Sequence, residues 1–212
     1  MKYVVIFITV ILALFCRAFL VSVYKVPSQK MAPAILSGEY LIASKVSFGL
    51  KFPWSDEVML QRTPNRGELV IFNKNSKTFI KRVIAANLDE IEYASGEFSV
   101  NSAKCNYVLV EKTDDPGQGL YKEQCADLAR TIYRPYDVAK LLPISRLKLD
   151  DAHIFVADDF RGAGTEPDSA EVIAVDQIIG KPLFVWMSYS STQDFISKSL
   201  GIRMNRILTK LE

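Results

Sequence analysis

The hydrophobic pattern divides the chain into an apolar N-terminal run and a long series of short alternating segments. Tyr3 to Cys16 carries no charge, Arg17 follows, and Ala18 to Tyr24 is again mostly apolar. A helix over Tyr3 to Tyr24, rising ~1.5 Å per residue, would cover the ~30 Å hydrocarbon thickness of a bilayer. Arg17 would then lie near its far end, where a long stem can snorkel to the headgroups. A cleaved secretory signal is the rival reading. Lys2 and the apolar run fit it, but no small-x-small site follows cleanly, and Phe15 before Cys16 spoils a lipoprotein box. The pattern therefore predicts an uncleaved transmembrane anchor over residues 1–24. Lys2 on one side against Lys25 and Lys30 on the other does not orient it.

Past residue 35 the chain reads as short strands separated by breaks, with no long stripe of period 3.6. Tyr40 to Ala43, Glu68 to Phe72, Thr78 to Ile84, His153 to Ala157 and Pro182 to Met187 are the clearest. Asn65-Arg66-Gly67 and Asp114-Asp115-Pro116-Gly117 are turn signals. Residues 86–150 are more polar and hold Cys105, Cys125, Pro116, Gly117, Gly119 and Pro135. They read as an insertion between two halves, 25–85 and 151–212, of one β core. The expected fold is mainly β: an antiparallel core behind a transmembrane helix, with a polar insertion.

With 212 residues, 49% of them hydrophobic, the chain can bury the core of one domain. Its 26 basic and 24 acidic residues leave a net charge of +2, which offers no electrostatic case for nucleic acid. His153 is the single histidine, and no His, Cys and carboxylate cluster has metal-ligand spacing. Neither a metal, nor a cofactor, nor a Ser-His-Asp triad is expected. Cys105 and Cys125 could form a disulfide in an oxidising compartment, and two unpaired thiols are equally compatible with the spacing.

Four stretches carry more specific information. The first is Arg17-Ala18-Phe19, then Pro27-Ser28-Gln29-Lys30-Met31-Ala32-Pro33, Gly38-Glu39-Tyr40 and Lys45-Val46-Ser47-Phe48-Gly49. The second is Arg66-Gly67-Glu68-Leu69-Val70-Ile71-Phe72 with Phe79-Ile80-Lys81-Arg82-Val83-Ile84. The third runs from Ile154 to Asp168. The fourth is Ile179-Gly180-Lys181, Trp186-Met187-Ser188 and Gly201 to Ile207. In this order and behind an apolar run, they resemble type I signal peptidases, which cleave peptides with a Ser-Lys dyad.

The resemblance implies roles by position. Lys30 occupies the place of the nucleophilic serine, Lys81 that of the general base, and Ser28 that of an oxyanion-binding hydroxyl. A dyad lysine must be neutral to take a serine proton, which burial favours, and the hydroxyl must face developing negative charge. The same resemblance implies a peptide groove lined by Tyr24, Val26, Pro27, Met31, Ile35, Phe79 and Ile80. Two ammonium groups ~4 Å apart would repel by about 4 kcal/mol at an effective dielectric near 20. Either one amine is neutral, the side chains diverge, or an anion or carboxylate lies between them. Other departures concern Ala85-Ala86-Asn87-Leu88-Asp89, which lacks the family's glycines, and Ala157-Asp158-Asp159-Phe160 in place of Gly-Asp-Asn-Arg. Thr165 is the candidate for the serine that orients the lysine.

The resemblance implies a single-pass protein of the inner (cytoplasmic) membrane with its β domain on the extracytoplasmic side. The reading they favour is a degenerate signal peptidase that keeps a peptide groove without cleaving. Its expected partners are signal peptides or exported preproteins, the lipid bilayer and an active signal peptidase. One alternative is an active peptidase using Ser28 or another serine, and another is a membrane-tethered interaction module. Taken singly, Lys81 also suits a solvated strand position. Phe48, Phe52, Trp54 and Trp186 suit either a membrane-dipping patch or the core. Lys198, Arg203, Arg206 and Lys210 suit either headgroup contact or a solvated face.

Overall fold

The computed structural model describes residues 2–51, 58–94, 97–114, 117–125, 128–136, 144–161, 169–190 and 201–211. Helix α1 (Lys2–Phe19) ends short of the expected Tyr24, and Val21–Lys25 forms strand β1 instead. β1 pairs antiparallel with β2 (Glu39–Ser44), placing Val21 opposite Ser44 and Lys25 opposite Tyr40. Alternating valines and a tyrosine suit a strand, and pairing with β2 wins over continuation of the helix. Among the described residues, no helix is long and apolar enough to cross a membrane. The expected extent of the transmembrane helix is corrected accordingly.

The rest is mainly β, as the pattern predicts. Seven antiparallel strands make the main sheet, ordered β1, β2, β16 (Ile178–Ser188), β5 (Leu69–Lys74), β6 (Lys77–Ala85), β14 (His153–Ala157) and β15 (Ala170–Ala174). The long β16 pairs with β2 along one stretch and β5 along another, which joins the two halves of the sheet. A tight turn through Asn75 and Ser76, both with positive φ, connects β5 to β6. A two-stranded hairpin joins β3 (Leu50–Lys51) to β4 (Val58–Met59).

Two smaller sheets arise from residues 86–150. One is ordered β13 (Ile144–Lys148), β7 (Glu90–Ala94), β8 (Glu97–Val100), β9 (Ala103–Lys104); the other β10 (Asn106–Lys112), β11 (Gln118–Cys125), β12 (Leu128–Pro135). The Cys105–Cys125 disulfide ties them together.

Burial explains how these layers hold. Val70, Phe72, Val83, Ile154 and Val156 make one apolar cluster in the main sheet. Ile84, Ala85 and Phe155 meet Ile91, Tyr93, Phe98 and Val100 of the β13-β7-β8-β9 sheet in a second. Phe48 belongs to the core, whereas Trp186 is half exposed; Phe52, Trp54 and Lys198 lie outside the described residues. Arg203 and Arg206 do not form a solvated face. Arg206 donates to Glu39, and Arg203 donates to Ser188 and to the carbonyls of Ser37 and Tyr189.

The segment after β6 forms a tight turn. Asn87 and Leu88 adopt φ of +54° and +66° without any glycine. The Asp89 carboxylate holds that turn by accepting from the Ala86 amide at 2.9 Å, the Asn101 side chain at 3.0 Å and Arg66 Nε at 2.6 Å.

Candidate functional site

Successive residues of a strand point to opposite faces, so Lys81 and Arg82 leave β6 in opposite directions. Antiparallel pairing sets Ala157 of β14 against Arg82, and the chain then delivers Asp158 and Asp159 beside the two cations. Lys81 Nζ donates to Asp158 Oδ1 at 2.9 Å and lies 4.0 Å from Glu171 Oε1. Glu171 also pairs with Lys74. On the other face, Arg82 donates from Nε and Nη2 to Asp159 at 2.9 and 2.7 Å, and from Nη1 to the Gly67 carbonyl at 2.8 Å. The Lys81 side chain is 1% exposed, which excludes an ordinary solvated position.

Lys30 sits close to this pair. It is half-buried in the turn after Pro27, and its carbonyl accepts from the Phe160 amide at 2.9 Å. Burial pushes the Asp158 carboxyl up to about 6, against the opposing pull of the Lys81 charge and hydrogen bond and then of the Lys30 charge. Of the three ways to accommodate Lys30 and Lys81, a carboxylate partner is the one seen for Lys81, in Asp158 at 2.9 Å. Ser28 is exposed in the bend before Lys30. Thr165 and Asp168 lie outside the described residues.

The candidate groove residues separate into two groups. Val26, Met31 and Ile35 are buried in an apolar cluster with Leu41, Leu69 and Val185. Phe79 and Ile80 are partly buried at the edges of the core, Tyr24 is half-buried on β1, and Pro27 is exposed. The apolar surface left accessible comes from the second group, while the first belongs to the core.

Two carboxylates not assigned to the site in advance, Asp158 and Glu171, now belong to it. The adjacent pair Asp158-Asp159 matches the adjacent pair Lys81-Arg82, a signal visible in the sequence once β6 and β14 are known to be neighbours. A carboxylate that accepts from Lys81 is an acceptor only. Cys105, Glu123 and Cys125 converge within 4.8 Å, but the cysteines are joined as a disulfide and Glu123 is held by Arg161 and Arg130, so the trio is not a metal centre.

The sequence profile of the family described as signal peptidase, peptidase S26, matches residues 1–187. The chain belongs to the signal peptidase family. A signal peptidase I of Pseudomonas fluorescens is 25% identical to it over 202 residues, spanning 87% of this chain and 70% of that protein. One from Pseudomonas aeruginosa is 26% identical over 204 residues with the same coverage. One from Aquifex aeolicus is 27% identical over 141 residues, covering 63% of this chain and 50% of its own. Within this family, the feature that stands out is that Lys81, where the resemblance puts the general base, is buried and paired with the Asp158 carboxylate.

Proposed function

We propose that the protein is a degenerate signal peptidase, one that binds the signal segments of exported preproteins without cutting them. The observation that carries this reading is the buried Lys81–Asp158 ion pair beside Lys30. The general-base position donates to a carboxylate at 2.9 Å, and the nucleophile position holds a lysine in place of a serine. Acyl transfer to a lysine amine would end in a stable amide and stop turnover, so Lys30 is no substitute for serine. Tyr24, Pro27, Phe79 and Ile80 border the peptide-binding surface in this proposal.

Membrane association belongs to the same reading. Every side chain from Lys2 to Ile11 of α1 is exposed, and nearly all of them are apolar. A helix apolar on all sides calls for an apolar surrounding, and a bilayer supplies it. The Cys105–Cys125 disulfide fits an oxidising compartment and therefore an extracytoplasmic β domain.

The test is a preprotein cleavage and binding assay on the wild type, Lys30→Ser and Lys81→Ala. The expected result is binding without cleavage by the wild type. Cleavage by the wild type that disappears in Lys81→Ala would overturn the proposal, and absence of peptide binding by every variant would point to an interaction module instead.

A further inference from the structure

The face of the main sheet that receives Arg82 borders a cavity of 1050 Å³, separate from the Lys81 pair. It lies where β12 meets β6, β16 and the turn that precedes β5. Five cationic side chains line it, and Glu68 is the one carboxylate among its described lining residues. Leu128, Leu183 and Phe184 add an apolar wall.

Arg66 pairs with Asp89 and Arg82 with Asp159, whereas the carboxylates that serve Arg130 and Lys181 are each shared with a second cation. Glu123 serves both Arg130 and Arg161, and Glu68 serves both Lys181 and Arg62. Arg130 and Lys181 face the cavity, and the Arg130 side chain is 10% exposed while that of Glu123 is fully buried. A buried guanidinium that shares its carboxylate with a second guanidinium keeps uncompensated positive charge in a poorly solvated place, which an anion would relieve. The volume is far larger than a bare oxyanion needs and matches pockets that enclose ligands with a sizeable apolar body.

We propose that this cavity binds an anionic amphiphile, with a phosphate or carboxylate head against Arg130 and Lys181 and a hydrocarbon chain along Leu128, Leu183 and Phe184. The source of that chemistry is either a bilayer lipid or a free alkyl phosphate or fatty acid. This site does not depend on whether the Lys81 region cleaves peptides.

The experiment uses the full chain in nonionic detergent and reads ligand retention by native mass spectrometry. Probes are phosphatidylglycerol, decyl phosphate, inorganic phosphate and decyl maltoside. One decyl phosphate bound per chain, with inorganic phosphate at least about tenfold weaker and no decyl maltoside retained, is the expected pattern. Retention of phosphatidylglycerol as well assigns a lipid source; decyl phosphate alone assigns a free amphiphile. Lys181→Gln should weaken binding about tenfold, and Ala129→Trp, at an exposed lining position, should block it without shifting the unfolding midpoint. Equal retention by wild type and Ala129→Trp would show micelle partitioning and overturn the proposal. So would inorganic phosphate binding as tightly as decyl phosphate.

Discussion

Two buried carboxylates, Asp158 and Glu123, respond in opposite ways to the same low-dielectric interior. Asp158 is pushed up to about 6 by burial, which one ammonium at 2.9 Å and the charge of Lys30 do not overcome. Burial raises Glu123 as well, but the Arg161 charge and then the Arg130 charge hold it down at about 2. The Arg161 guanidinium grips Glu123 through both Nη atoms, and Arg130 adds its Nε. Two planar forks satisfy most of a carboxylate's lone pairs, whereas an ammonium supplies one directed bond. Burial therefore does not decide the charge state by itself; the number and shape of the partners do. The Arg-rich cluster joins β11, β12 and the Asp158–Arg161 segment firmly, while the Lys81 region remains electrostatically soft.

The largest effect expected from this contrast is on stability. Glu123→Gln would leave two buried guanidiniums around a neutral group and should cost about 3–5 kcal/mol in denaturant unfolding. Asp158→Asn should cost less than half of that, because burial already disfavours its charged form and holds the carboxyl up at about 6. Equal losses would break the comparison.

pH separates the two sites with opposite signs. The folded protein takes up a proton on Asp158 at higher pH than the unfolded chain, so its contribution becomes more favourable as pH falls from about 6 towards 3.8. Glu123 has the reverse linkage: its stabilisation is complete above 4.5 and is lost as pH falls towards about 2. Unfolding free energies measured across this range should lose the first slope in Asp158→Asn and the second in Glu123→Gln.

A finer test concerns Lys30. Its charge lowers the Asp158 pKa, so Lys30→Ala should move the Asp158 titration to higher pH, read by carboxyl-carbon NMR. An unchanged titration would detach Lys30 from the site. The smallest expected effect lies in the turn between the main sheet and β7. Leu88 is exposed with φ of +66°, and Leu88→Gly should stabilise the protein by about 1 kcal/mol in thermal unfolding.

Much of the scaffold was legible beforehand because alternation reports directly on half-buried strands. β2, β5, β6, β14 and β16 lie where the pattern put them. The helix end was not, because hydropathy does not distinguish an apolar helix from the apolar strand Val21–Lys25 that finds a partner in β2. Nor did the missing glycines prevent left-handed backbone at Asn87 and Leu88, since the bonds accepted by Asp89 stabilise the turn from outside it. At the candidate site, the residue types at Lys30 and Lys81 were readable, but their charged neighbour was not.

The amino-acid order alone determined an apolar N-terminal helix, an antiparallel β scaffold and a lysine where the family resemblance places a nucleophile. Only the tertiary structure decided that Asp158 would meet Lys81, and Asp159 Arg82. That pairing joins residues 77 positions apart and depends on the register of β14 against β6. Side-chain type is local, whereas the electrostatic partner of a buried charge is set by which strands lie side by side.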